Sequence, residues 1–224
     1  MSYPPPTAPL RAVVFDLDGL IVNTEDLYDR SGREVLRRRG LQMTDSLREQ
    51  MTGRKAQEAI RLMIDTLNLP DTVEALLAET TDVFQEFTET LLQTMPGLDE
   101  LLNHLQAVNT PAAVATSGSR DYAADMLARF DLVRHFRFVL SADDVARGKP
   151  HPEVYELAAR QLGFSTSELM VLEDSANGCR AAVAAGAYTV AVPNRHTAGH
   201  PFPAVAFRAD TLADMRIRAA LGNS

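Results

Sequence analysis

The chain has 224 residues, 46% of them hydrophobic, enough for one large domain with a modest insertion around a buried core. A formal charge of −8 argues against nucleic acid or an anionic membrane as partner, since either would need a local basic patch, and the one run of three cations, Arg37, Arg38 and Arg39, reads as a solvated helix end. A single cysteine, Cys179, rules out an internal disulfide, and no apolar stretch is long enough for a bilayer span, so a cytoplasmic protein and a monomer are expected.

Residues 1–9 hold four prolines and no signal-like apolar run, which predicts a flexible tail. Arg11 to Phe15 then forms an apolar run of strand length. From Thr24 to Met95 only helical periods occur. Leu27, Tyr28, Val35 and Leu36 mark a helix ended by Gly40; Ile60, Met63, Ile64 and Leu67 mark another; Val73, Leu76, Leu77, Val83, Phe84 and Phe87 mark a long one. Pro96 and Gly97 read as a return hinge.

Further strand-like runs follow at Ala112 to Thr116, Phe138 to Leu140, Leu169 to Leu172, Thr189 to Val192 and, more weakly, Val205 to Phe207. Helical patterns separate them: Tyr122, Met126 and Phe130, then Val154, Tyr155, Ala158 and Leu162, then Cys179 and Val183. This alternation predicts an α/β fold, a doubly wound (Rossmann-like) parallel sheet of residues 10–23 and 96–224, with residues 24–95 as an inserted α-helical subdomain.

In such a sheet ligands bind beyond the carboxyl ends of the strands. The first strand ends in Asp16-Leu17-Asp18-Gly19, the second in Thr116-Ser117-Gly118 and the fourth in Glu173-Asp174-Ser175, while Gly148-Lys149-Pro150 follows the third. Asp16, Asp18, Glu173 and Asp174 would repel one another in one pocket, and a hard cation bound by oxygen, Mg²⁺ rather than zinc, relieves this. Lys149 and the Thr116 hydroxyl suit phosphoryl oxygens, and the backbone amides of Leu17, Ser117 and Gly118 can complete an anion nest. The ensemble points to a metal-assisted phosphate site.

The run Asp16-Leu17-Asp18-Gly19-Leu20-Ile21-Val22-Asn23-Thr24-Glu25 resembles the first signature of the haloacid dehalogenase superfamily, with Thr116, Lys149-Pro150 and Glu173-Asp174-Ser175 similar to the second, third and fourth. The insertion resembles the helical cap of the beta-phosphoglucomutase-like subgroup. The resemblance implies that Asp16 is the nucleophile, transiently phosphorylated, and that Asp18 is the acid and base. Catalytic roles are expected for Asp16, Asp18, Thr116 and Lys149, and metal binding for Asp16, Asp18, Glu173 and Asp174. It also implies closure of the cap over a small phosphorylated metabolite, such as a sugar phosphate or nucleoside monophosphate.

Dehalogenases of the superfamily lack the second aspartate and the acidic pair, so Asp18, Glu173 and Asp174 argue against that chemistry. Phosphoglucomutases of the subgroup carry a histidine where this chain has Tyr28, which favours hydrolysis and leaves a phosphomutase as the alternative. A phospho-receiver domain, the other class with this residue set, does not fit the aspartate's place on the first strand or the insertion. The segments Met51 to Ala59 and Met63 to Pro70 are similar to pseudouridine-5'-phosphate phosphatase-like proteins, and Arg54 and Lys55 are candidate substrate contacts there. His196 and His200 are four apart, but Gly199 and Pro201 break the helix a metal pair would need.

Overall fold

The computed structural model describes residues 3–51 and 56–222, so Arg54 and Lys55 lie outside the described residues. The chain divides into two compact units, one running to Asn23 and resuming at Thr94, the other spanning Thr24–Gln93.

The first unit is built on six strands: β1 (Ala12–Phe15), β2 (Ala112–Ala115), β3 (Val139–Leu140), β4 (Leu169–Glu173), β5 (Tyr188–Ala191) and β6 (Phe207–Arg208). Their order is β3-β2-β1-β4-β5-β6 and every pairing is parallel, the doubly wound sheet that the alternating pattern predicts. β1, β2 and β4 are buried along their whole length, which explains why they read as unbroken apolar runs rather than alternating ones.

Helices cover this sheet: α5 (Leu98–Ala107), α6 (Arg120–Ala128), α7 (Glu153–Leu162), α8 (Ala176–Ala185) and α9 (Met215–Ala220). Ala12, Val14, Leu169 and Val171 alternate onto one face and pack with Val154, Tyr155 and Ala158 of α7 and with Ala181 and Ala182 of α8. On β1, Phe15 meets Phe136 edge to face, with centroids 5.7 Å apart. α6 ends before Phe130, which had seemed its last apolar turn. The proline-rich start touches the last two strands. The Tyr3 ring sits 4.8 Å from that of Phe207, and Tyr188 donates to the Pro4 carbonyl at 3.1 Å.

The second unit holds α1 (Thr24–Arg37), α2 (Asp45–Met51), α3 (Ala56–Leu67) and α4 (Val73–Leu91). Val35, Leu36, Ile60, Met63, Leu76 and Val83 form its core, and Thr72 caps α4 by accepting from the Ala75 N–H. Tyr28 stacks on Phe84 at 4.3 Å. The three arginines at the end of α1 are not simply solvated. Arg38 and Arg39 tie α1 to the start of α4: Arg39 bonds both oxygens of Asp71 and also Glu79, and Arg38 bonds Glu34 and Glu79. Among the described residues no helix is long and apolar enough to cross a membrane.

Candidate active site

Sheet register brings the acidic residues together. Phe15 pairs with Leu172, so the next residues, Asp16 just past β1 and Glu173 at the end of β4, stand side by side where the strand order reverses. Asp16, Glu173 and Asp174 are all buried, with ligand atoms within 4.8 Å of one another. Lys149 arrives from the loop after β3, its side chain only 5% exposed, and donates to Asp16 Oδ1 and Glu173 Oε1, each at 2.6 Å, and to the Ala115 carbonyl at 2.9 Å.

One ammonium against three buried carboxylates leaves the group short of positive charge. Burial pushes the Asp16 carboxyl well above its ordinary range; Lys149 opposes this, while Glu173 and Asp18 add to it. Burial alone would lower the Lys149 ammonium, but Asp16 and Glu173 hold it well above its ordinary value, so it stays charged. A hard divalent cation fits this deficit, and Asp16, Glu173 and Asp174 are the residues within reach of one.

The three are not equivalent. Glu173 already takes four donors, Lys149 and the Tyr155 hydroxyl on Oε1 and the Ser175 N–H and hydroxyl on Oε2, which is a carboxylate's usual capacity. Glu173 therefore anchors the lysine, and Asp16 and Asp174 are the better placed to take a cation. Asn194, in the loop after β5, donates to Asp174 Oδ2 at 2.8 Å and to the Gly19 carbonyl at 3.2 Å, joining the ends of β4 and β1.

Asp18, expected among the metal ligands, is not in this group. Its carboxylate is instead gripped by side chains around the end of β2: Tyr122 donates to Oδ1 at 2.5 Å and Thr116 to Oδ2 at 3.2 Å. Gly118, expected to offer its amide to an anion, spends it on Thr116 Oγ1 at 3.0 Å. Leu17 and Ser117 make no backbone N–H bond to an acceptor among the described residues, so their amides keep the donor capacity expected of them. Asp143 and Asp144 shape the loop ahead of Lys149 by binding Arg120 and capping at Ser141.

The family model for haloacid dehalogenase-like hydrolase matches residues 13–192. The chain belongs to the haloacid dehalogenase-like hydrolases. This hydrolase is 34% identical to validoxylamine A 7'-phosphate phosphatase of Streptomyces hygroscopicus subsp. limoneus, over 84% of the chain and 88% of the relative. It is also 34% identical to a probable pseudouridine-5'-phosphatase of Drosophila melanogaster, over 81% of the chain and 80% of the relative. Among solved structures it resembles a haloacid dehalogenase family hydrolase of Deinococcus radiodurans R1 with bound phosphate and sodium, at a TM-score of 0.79 and 28% identity, covering 95% of this chain and 96% of that one. A beta-phosphoglucomutase of Clostridium difficile shares the fold at a TM-score of 0.70 and 19% identity, covering 95% and 97%. The resemblances to the superfamily, to the phosphoglucomutase-like subgroup and to pseudouridine-5'-phosphatase-like proteins are thus borne out.

Four residues of the hydrolase's site are absent from the motif reading. Tyr122 and Tyr155 fit apolar helical periods and read as core, yet each sends its hydroxyl to a site carboxylate. A tyrosine where phenylalanine would fill the same space is the available signal, since a hydroxyl drawn away from water needs a partner. Asn194 carries no comparable mark, nor does Gly178 in the first turn of α8, where the Glu173 carboxylate occupies the space a Cβ would need.

Proposed function

We propose that this hydrolase is a Mg²⁺-dependent phosphatase of a small phosphorylated metabolite, a sugar phosphate or nucleoside monophosphate, acting through an aspartyl-phosphate on Asp16. One observation carries the reading: Lys149 bridges Asp16 and Glu173 at 2.6 Å each where the strand order reverses, with Asp174 in reach and Asp18 held apart. The phosphatase names of the relatives and the phosphate in the Deinococcus structure support it.

Asp16, fixed by Lys149, attacks phosphorus as a carboxylate, and the bond from phosphorus to the leaving oxygen breaks with its electron pair going to that oxygen. Asp18 gives that oxygen a proton. Water then attacks the aspartyl-phosphate and Asp18 takes a proton from it, while the acyl-phosphate bond breaks with its pair returning to Asp16; phosphate departs and both carboxyl groups are restored. Lys149 and the amides of Leu17 and Ser117 complement the charge on the transferred group. Mg²⁺ held by Asp16 and Asp174 would supply the missing positive charge and polarise the phosphoryl oxygens.

A phosphomutase would return the phosphoryl group to a sugar. Tyr28, stacked on Phe84, stands where the mutases' resemblance calls for a histidine, which supports hydrolysis. Free phosphate released from a hexose 1-phosphate, with no 6-phosphate isomer accumulating, is the expected result; accumulation of the isomer would favour the mutase. Asp16→Asn is expected to lower kcat by at least about a thousandfold with a native circular dichroism spectrum. Near-wild-type hydrolysis by that variant would remove Asp16 as nucleophile.

A further inference from the structure

We propose that Tyr122 is the positioning residue that aims Asp18, an assignment that rests on the acid and base role of Asp18 proposed above. The phenol reaches Asp18 from the first turn of α6, and that turn is itself fixed, because Ser119 caps the helix by accepting from the Tyr122 N–H at 3.3 Å. The ring is seated on the backbone of the β2 end. A Cβ at Gly118 would lie 2.7 Å from Tyr122 Cδ1 and 3.2 Å from Cε1, so the ring comes this close only over a glycine.

From that seat Tyr122 Oη donates to Asp18 Oδ1 at 2.5 Å, while Thr116 Oγ1, which accepts from the Gly118 N–H, donates to Oδ2 at 3.2 Å. Each carboxylate oxygen has its own donor, and the two donors come from different places on the chain, so both rotatable bonds of Asp18 are constrained. Asp18 lies outside the carboxylate group of Asp16, Glu173 and Asp174, although only Leu17 separates it from Asp16. The grip therefore does two things: it keeps a fourth carboxylate out of an already acidic pocket, and it holds that carboxylate in one orientation for proton transfer. Thr116, expected to bind phosphoryl oxygens, serves here as the second half of the grip.

The test follows formation of the phospho-enzyme alone, by single-turnover release of phenol from phenyl phosphate and of p-nitrophenolate from p-nitrophenyl phosphate in the presence of Mg²⁺. The first leaving group needs a proton and the second departs without one. Wild type, Tyr122→Phe, Asp18→Asn and the double variant are compared, with melting temperatures to establish that each is folded. Tyr122→Phe is expected to slow release from phenyl phosphate about tenfold and from p-nitrophenyl phosphate less than about twofold, with KM for either ester unchanged. On phenyl phosphate it is expected to cause no further loss in the Asp18→Asn background, because the phenol acts only through Asp18. Wild-type rates in Tyr122→Phe, equal losses on both esters, or an undiminished effect in the Asp18→Asn background would each overturn the assignment. Failure of the underlying reading would show separately, as a wild-type rate on phenyl phosphate in Asp18→Asn alone.

Discussion

Gly178 lacks a side chain because Glu173 fills the space one would need: a Cβ there would sit 1.6 Å from Oε1 and 1.9 Å from the carboxyl carbon. The first turn of α8 thus passes directly over the carboxylate that anchors Lys149, and neither that backbone nor the four-donor carboxylate can yield freely. Gly178→Ala is expected to cost about 3 kcal/mol in denaturant unfolding and to reduce kcat at least about tenfold, because Glu173 must move and Lys149 moves with it. Unchanged stability and turnover would show that the carboxylate relaxes without consequence. Asp16, Asp18, Glu173 and Asp174 are legible in the sequence because each stands at or just beyond the end of a strand, where a polar residue stands out from the apolar run, and Lys149 because Gly148-Lys149-Pro150 marks the loop that follows the third strand. Tyr122, Tyr155, Asn194 and Gly178 are not, since their work is defined by a partner distant in the chain or by a contact that exists only once α8 is placed on β4.

In the helical unit the junction of α1 with α4 is electrostatic as well as apolar. Arg39, its side chain 22% exposed, holds Asp71 and Glu79, and Arg38 and Arg37 hold Glu34. Hydrogen bonds from Arg37 and then Arg38 lower the Glu34 carboxyl from an ordinary 4.5 to about 2, and Arg39 lowers Asp71 and Glu79. A carboxyl depressed by folding stabilises the fold at pH values above its unfolded pKa and ceases to do so as pH falls through its folded one. Thermal stability is therefore expected to fall as pH drops from about 4.5 towards 2, and Arg39→Ala, which releases Asp71 and Glu79 but leaves Glu34 with Arg37 and Arg38, should make that fall shallower while costing about 1 kcal/mol at neutral pH. An identical acid profile in the variant would contradict the assignment. The helices α1, α3 and α4 are readable from their apolar periods. α2 is not, having one buried residue, Leu47, and α9 has too few turns for a period to register. α5 carries a helical period in Leu98, Leu101, Leu102 and Leu105.

Across the whole molecule, alternating strands and helices predict a parallel sheet, but strand order and register arise only from folding. It is the order β3-β2-β1-β4-β5-β6 that sets Asp16 beside Glu173, and the pairing of β1 with both β2 and β4 that surrounds Asp16 with groups from three strand ends. The two-residue β3 and β6 leave only faint marks in the sequence, because edge positions need little apolar sequence. Excess negative charge in the site leads to a global expectation: EDTA should abolish hydrolysis and Mg²⁺ restore it, with the melting temperature higher when Mg²⁺ is present. Full activity in EDTA would refute the metal requirement. The central claim, a phosphoryl group carried on Asp16, is tested most directly by quenching turnover of a ³²P-labelled ester in acid, reducing the acyl-phosphate with borohydride and sequencing the peptide. Conversion of Asp16, and of no other aspartate, to homoserine is the expected result; homoserine at another position, or none formed during steady turnover, would contradict the account.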